Sequence, residues 1–400
     1  MLLIPPSQTG QRYLKTTLSA QYFMLFGIMG VFLPYFNLYC YHMHLSGVEI
    51  GTINACRSLL ILLFSVVWGV LADRYQRRRL FYILCQFICA CACSFYLIAD
   101  TFISILSVTI IASIFYAPLV SFMEAFTMDL IGDSKHDYGT IRLWGSIQFI
   151  VMVLLVGELL NHFSYGIIID IIVVGGGIQA LVSFSIPKSK KPKSKKTVPS
   201  LQIFKEPQVI VYLISTFLML VSHGTYYAFS SIHLEQLGAK TNEISIYWAL
   251  GSIAEIFVML NSRHIFNRFQ VETILIFSFG MATIRWLLMF YTTSVIVALV
   301  TQVFHAATYG AYHIAGILYI DRCMPESTKT IGQAVNNAVS YGLGIMTGSF
   351  ISGYLFETVG THNSFLFSAV IAAIAGCILG VYCFIQRTEI QAFRERNGYV

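Results

Sequence analysis

Apolar residues run along this chain in long blocks separated by short polar or charged breaks, with no two-residue alternation inside the blocks. Blocks of about 18 residues or more, bounded by charge or turn residues, predict membrane-spanning helices. They fall near 18–43, 48–72, 80–99, 103–130, 139–162, 166–186, 209–236, 243–262, 272–291, 295–322, 331–356 and 364–386. Runs of this length exclude a strand barrel. The one long polar break is 187–208, PKSKKPKSKKTVPSLQIFKEPQ, which carries six lysines within nine residues. It separates six spans from six. The expected fold is an all-α membrane protein of 12 helices in two pseudo-symmetric six-helix bundles. The expected domains are 1–186, a cytoplasmic basic linker at 187–208, and 209–400.

Composition narrows the function. Of 400 residues, 56% are apolar and 11% charged, against about 45–50% and about 25% in soluble domains, which argues against a soluble enzyme. The net charge of +6 gains its meaning from position. With the linker in the cytoplasm, 21 of the 25 Lys and Arg lie on that side, one (Lys240) lies outside and three lie within spans. That asymmetry follows the positive-inside rule and places both termini in the cytoplasm, in an inner or plasma membrane. The charge therefore reads as a topology signal rather than a nucleic-acid surface. The start, MLLIPPSQTGQRYLK, lacks the apolar core of a cleavable signal peptide, so the first block is expected to stay as a span. The nine cysteines have no zinc spacing and read as helix packing, as do Gly175–Gly177. With no Walker loop, HExxH or nucleophile elbow, neither catalysis nor a metal or cofactor is expected. The expected partners are the bilayer, a small solute and protons, with a functional monomer.

Two six-span halves joined by a flexible linker are the outline of a repeat-built transporter. The second span closes with Gly69-Val-Leu-Ala-Asp73-Arg74-Tyr-Gln-Arg77-Arg78-Arg79. This resembles the signature between spans two and three of the major facilitator superfamily, with Gln76 where glycine is usual. Gly69 is expected to permit close helix approach and Asp73 to lock a helix end. Together with Arg74, they are the candidate conformational residues.

Charges inside spans are costly and mark function by default. They are Arg57, Glu124, Arg142, Glu255 and Arg285, accompanied by His223, His305 and His313. Asp129, Glu158, Asp170, Glu235 and Asp321 lie near span ends and are set aside as hydrated. Glu124 and Arg142 flank the turn Asp133–Tyr138, about 12 Å and 6 Å into adjacent helices at the α-helical rise, so the arginine could reach the carboxylate. Glu124-Ala-Phe, Tyr138-Gly-Thr-Ile-Arg142-Leu-Trp-Gly and Phe26-Gly-Ile-Met-Gly-Val-Phe-Leu-Pro34 resemble the lactose permease branch and its 3-phenylpropionate transporter family. So does Phe304-His305-Ala-Ala-Thr308-Tyr-Gly-Ala-Tyr-His313. The resemblance implies that the glutamate–arginine pair binds substrate and that Arg285 and His305 act in proton coupling. Thr308 stands where the sugar permease carries a proton-handling glutamate, and Glu255 points to the 3-phenylpropionate family. A carboxylate that handles protons in a low-dielectric span is then Glu255, with Glu124 second.

On a regular helix His305 and His313 lie about 80° and 12 Å apart, so they cannot share a metal. His305 is expected to share a stripe with Tyr309 and Tyr312, and His223 with Tyr227. The substrate-binding candidates are Asn37, Arg57, Glu124, Arg142, His223, Tyr227 and Tyr309; the proton-coupling candidates are Glu255, Arg285 and His305. Arg57, in mid-span, needs a carboxylate, backbone carbonyls or a substrate anion. Intramembrane arginines and histidines outnumber the two glutamates, which favours an anionic substrate. The leading expectation is proton-coupled uptake of a small carboxylate by alternating access. A siderophore, sugar or nucleoside importer remains open, as does drug efflux by proton antiport, although span five lacks the proline-containing motif usual in antiporters.

Overall fold

The computed structural model describes residues 8–131, 135–187, 201–326 and 328–396. Most of the basic linker and the first two residues of the expected 133–138 turn therefore lie outside the described residues, and its remainder belongs to a helix that begins at Lys135.

Among the described residues, ten helical stretches are long and apolar enough to cross a membrane. One of them, Lys329–Gln386, is broken at Gly360, whose φ of 82° and ψ of 170° leave the helix. It therefore supplies two spans, and Ile167–Ser183 is a further, shorter apolar helix. The spans are numbered in chain order. Spans 1 to 3 are Gln8–His42, Gly47–Tyr75 and Arg78–Ser94. Span 4 is Phe102–Tyr116 continued by Leu119–Ile131, span 5 Lys135–Leu159 and span 6 Ile167–Ser183. Span 7 is Pro207–Ser222 continued by Gly224–Gln236, span 8 Thr241–Arg268 and span 9 Val271–Tyr291. Span 10 runs from Val295 to Cys323, span 11 from Lys329 to Gly360, and span 12 onward to Arg396. The expected gap at 357–363 shrinks to one residue, because a single left-handed glycine breaks the helix without a loop.

The helix ends follow local chemistry. Ser46 and Glu49 form a reciprocal capping box at the start of span 2, satisfying two otherwise orphaned amides. Span 2 ends on Gln76 in the left-handed conformation (φ 57°, ψ 33°). That geometry explains why glycine is usual at this point of the motif. Pro207 opens span 7, where a missing amide costs nothing. In span 7 Gly224 abuts Gly348 of span 11 so closely that a Cβ would stand 2.1 Å from its backbone. Large apolar side chains on the outside of the spans, such as Val66, Val70, Phe257 and Leu260, are exposed, as lipid-facing positions require.

Contacts divide the chain into two compact units. One takes Met1–Lys195 with Ala239–Ala249, and the other Lys196–Gly238 with Leu250–Val400. The opening of span 8 is held in the first unit by Thr241 Oγ1 donating to Asn161 Oδ1 (2.7 Å) and Asn242 Nδ2 donating to Glu158 Oε2 (2.9 Å). Leu18, Tyr22, Leu25, Tyr82, Met123 and Phe126 form the core of the first unit.

Candidate functional site

In the second unit, Arg285 of span 9 is fully buried at 0% exposure. Its Nη1 donates to His305 Nδ1 at 2.8 Å and to Thr308 Oγ1 at 3.0 Å, and its Nη2 donates to Gln302 Oε1 at 3.1 Å. The guanidinium also lies 4.5 Å from the ring centre of Tyr226 and 4.7 Å from that of Trp286. Because His305 Nδ1 accepts from a group that can only donate, the imidazole proton is assigned to Nε2. That nitrogen sits 2.8 Å from Glu255 Oε1, and the Glu255 side chain is 30% exposed against 5% for His305. The result is a chain from a buried cation through an imidazole to a carboxylate at the edge of the buried region. Gly251 makes room for it, since a Cβ there would meet Gln302 Oε1 at 2.7 Å. Thr308, where a glutamate would stand in the sugar permease, accepts an arginine hydrogen bond instead.

Span 10 departs from the expected regular helix. Residues Thr301–Phe304 form a 3-10 turn and Ala306–Ala311 a π-helical turn before Tyr312–Cys323 resumes as α-helix. The wider turn changes the register. His305, Tyr309 and His313 consequently stack as a ladder with interplanar angles of 11° and 5°, although a regular helix would set the two histidines about 80° apart. Tyr312 leaves the expected stripe, and its hydroxyl donates to the Thr216 carbonyl at 3.4 Å. His313 Nδ1 pairs with the Tyr341 hydroxyl at 2.7 Å. His223 and Tyr227 lie side by side as expected, and Tyr227 meets Tyr309 edge to face. His223 Nδ1 bonds the Met219 carbonyl at 2.8 Å, which leaves its buried Nε2 without a partner.

In the first unit, Glu124 and Arg142 lie within electrostatic range of each other but make no direct ion pair. Arg142 instead places its guanidinium 3.8 Å from the ring centre of Phe26 and 5.6 Å from that of Tyr22, on span 1. Gly145, one turn along from Arg142, leaves room for this stack, because a Cβ would meet Phe26 at 2.9 Å and Arg142 Nη1 at 3.1 Å. The aromatic faces of span 1 hold the arginine that sequence spacing aimed at the carboxylate. Arg57 is drawn to neither group. It lies over Phe32 (4.5 Å) and Tyr116 (5.5 Å) and borders a cavity with residues of spans 1, 3, 4 and 6. Asn37 is buried and accepts from Asn54 Nδ2 at 2.9 Å, an amide pair joining spans 1 and 2.

In the motif after span 2 the contacts fall on Asp73, Arg78 and Arg79. A Cβ on Gly69 would meet nothing within 4 Å, so no close helix approach depends on it. Asp73 pairs with Arg78 at 3.3 Å, and Arg78 also reaches Asp129 of span 4 at 2.9 Å. Arg79 donates to the carbonyls of Ile186 (2.5 Å) and Phe184 (2.7 Å), capping the end of span 6. Arg74 lies only near the Tyr75 ring, at 6.0 Å. Asp129, set aside as a hydrated end residue, is thus a structural partner. Gly175 and Gly176 pack against Ile28 and Ala90, but a Cβ on Gly177 would meet nothing within 4 Å. All nine cysteines are free.

Sequence reasoning missed the uncharged part of the site. Gln302 and Thr308 complete the Arg285 cage, and Tyr226 and Trp286 cover its faces. The available signal was polar or amphipathic side chains in mid-span, weighed too lightly beside the formal charges.

A family model described as the MFS_1 like family matches residues 15–367. The chain is similar to a probable 3-phenylpropionic acid transporter of Escherichia coli (strain K12), 26% identical over 362 residues, covering 89% of this chain and 94% of that protein. It is also similar to the maltose permease of Geobacillus stearothermophilus, 22% identical over 383 residues, covering 94% and 96%. Among solved structures, the nucleoside transporter NupG matches with a TM-score of 0.83 at 18% identity, covering 92% of this chain and 98% of that one.

Proposed function

The chain belongs to the MFS_1 like family, and from that premise of a secondary transporter embedded in a membrane we propose its finer function. It takes up a small organic anion, a carboxylate, together with protons, by alternating access across the inner or plasma membrane. Both termini face the cytoplasm. The observation that carries this reading is the Arg285–His305–Glu255 chain. A permanently charged, fully buried guanidinium holds the imidazole, and the imidazole donates to the carboxylate. Protonating Glu255 would remove the negative charge that strengthens its bond from His305 and so weaken the imidazole's hold on Arg285, which links proton binding to the geometry of the unit.

Under this reading, substrate contact falls to Arg142 and Glu124 in the first unit and, separately, to His223, Tyr227 and Tyr309 in the second. The three intramembrane arginines, Arg57, Arg142 and Arg285, outnumber the two intramembrane glutamates, and arginine binds carboxylate through its planar fork. A second reading, uptake of an uncharged ring-bearing solute such as a sugar or nucleoside, draws on the ladder of His305, Tyr309 and His313 and on the similarity to the maltose permease.

The test is uptake into sealed vesicles under an imposed proton gradient. A carboxylate that accumulates inside when the outside is made acidic, and stops when a protonophore is added, supports symport. Proton-driven loss of solute from loaded vesicles would indicate antiport. Accumulation of neutral analogues alone would favour the second reading.

A further inference from the structure

The cavity beside Arg57 is separate from the Arg142–Phe26 stack and from the Arg285 network. It lies within the first unit, among spans 1, 2, 3, 4 and 6, with a volume of about 60 Å³. That is room for about four waters, or for a carboxylate with a short tail. Among the described residues no acid lines it. The guanidinium of Arg57 rests on two aromatic faces, and among the described residues it makes no hydrogen bond or ion pair. Ring faces attract a cation but accept none of the in-plane N–H groups, of which a guanidinium has five. Gln179, 2% exposed, also lines the cavity; among the described residues its Nε2 makes no close hydrogen bond and has only the Tyr82 hydroxyl nearby. Other polar groups in the wall are engaged locally: the Tyr96 hydroxyl with Thr109 Oγ1 at 2.7 Å, and Gln86 Nε2 with the Tyr82 hydroxyl at 3.0 Å. The cavity holds one fixed positive charge and no carboxylate, with neutral amides and hydroxyls such as those of Gln86, Gln179 and Ser113 in its wall. A guanidinium in an apolar bundle is satisfied by an anion, by carbonyls or by water, and an anion is the partner that also offsets its charge.

We propose that this cavity is a carboxylate pocket inside the first unit, taking a short-chain monocarboxylate. Arg57 grips the carboxylate through its fork, Gln179 turns its amide to donate to the same group, and Ile28, Phe32 and Ala112 receive the aliphatic tail. One guanidinium matches one negative charge, so a monoanion fits better than a phosphate dianion. The pocket rests on the transport reading for its role as a station for the transported acid, but its occupancy does not depend on transport.

Equilibrium binding of acetate, propionate and butanoate, each beside its amide, to purified full-length protein tests the proposal. The acids are expected to bind and the amides at least tenfold more weakly. Arg57→Gln should weaken acid binding at least tenfold, and Arg57→Lys by less. Ala112→Leu, which fills the cavity and leaves Arg57 in place, should weaken it similarly, with each variant's unfolding temperature confirming a folded protein. Equal binding of acid and amide, full acid affinity in folded Arg57→Gln and Ala112→Leu, or no binding of any of the three acids to the wild type overturns the pocket. Binding through Arg57 by a protein that accumulates no acid in vesicles upholds the pocket and overturns the transport reading. Proton-driven acid uptake that is unchanged in Arg57→Gln and Ala112→Leu upholds the transport reading and overturns the pocket's role as a station for the transported acid.

Discussion

At the scale of single residues, the proposed proton role of Glu255 predicts that losing its carboxylate separates two aspects of transport. It accepts from His305 Nε2 at 2.8 Å and is the partly exposed end of a chain that is otherwise buried. Glu255→Gln keeps an acceptor for His305 but cannot bind and release a proton. This variant is expected to exchange solute between equal pools at near wild-type rate, while uphill accumulation falls to an inside-to-outside ratio of about one. Wild-type accumulation by the variant in vesicles would move the proton role to another group. Gln76 offers a stability measurement of the same kind. A non-glycine residue in the left-handed region costs about 1–2 kcal/mol, offset here by one exposed bond from Gln76 Nε2 to the Asp73 carbonyl at 2.6 Å. Gln76→Gly is therefore expected to stabilise the protein by up to about 1 kcal/mol, read as a higher unfolding temperature in detergent. The departure from the family motif was legible in the sequence; its backbone cause was not, because φ is a property of the folded turn.

At the scale of elements, the π turn of span 10 decides which side chains share a face. The sequence predicted the span, but a 3.6-residue period cannot foresee a local widening to the π form. Tyr309→Ala removes the middle ring of the ladder, which stacks on His305 and His313 and meets Tyr227 edge to face, and leaves both histidines in place. The variant is expected to insert and to lose substrate transport by at least tenfold, measured in vesicles at matched protein levels. Full transport would show that the ladder has no part in function. Arg79 sets a second test at this scale, since it ties span 3 to the end of span 6 through two carbonyls. Charged hydrogen bonds of this kind contribute about 1.5–3 kcal/mol each when shielded. Because Arg79 is half-buried at the membrane edge, Arg79→Ala is expected to cost about 1–2 kcal/mol in total, with substrate affinity unchanged.

At the scale of the whole molecule, the spans could be read from the sequence because insertion into lipid depends on long apolar runs. Side-chain pairings inside the bundles depend on rotation about each helix axis, which small residues and aromatic faces set. Gly145 and Phe26 thus redirected Arg142 from Glu124, a shift that spacing alone could not show. Orientation follows from charge rather than packing. Of the 25 Lys and Arg, 21 fall on one side in the alternating twelve-span order and only Lys240 on the other, and short basic loops are retained in the cytoplasm. A reporter active only in the cytoplasm, fused after Val400, should therefore be active, and so should one inserted within 188–196. The same reporter placed at Lys240 should be silent. The six lysines of 188–196 give the strongest single contribution, yet Arg74, Arg77, Arg78 and Arg79 independently hold the loop between spans 2 and 3. Replacing all six lysines with glutamine should therefore leave the reporter pattern intact. Adding arginines beside Lys240 while neutralising the four arginines at 74 and 77–79 should produce a mixed population. An active reporter at Lys240 in the unaltered protein would reverse the assigned orientation and, with it, the direction in which Glu255 takes up its proton.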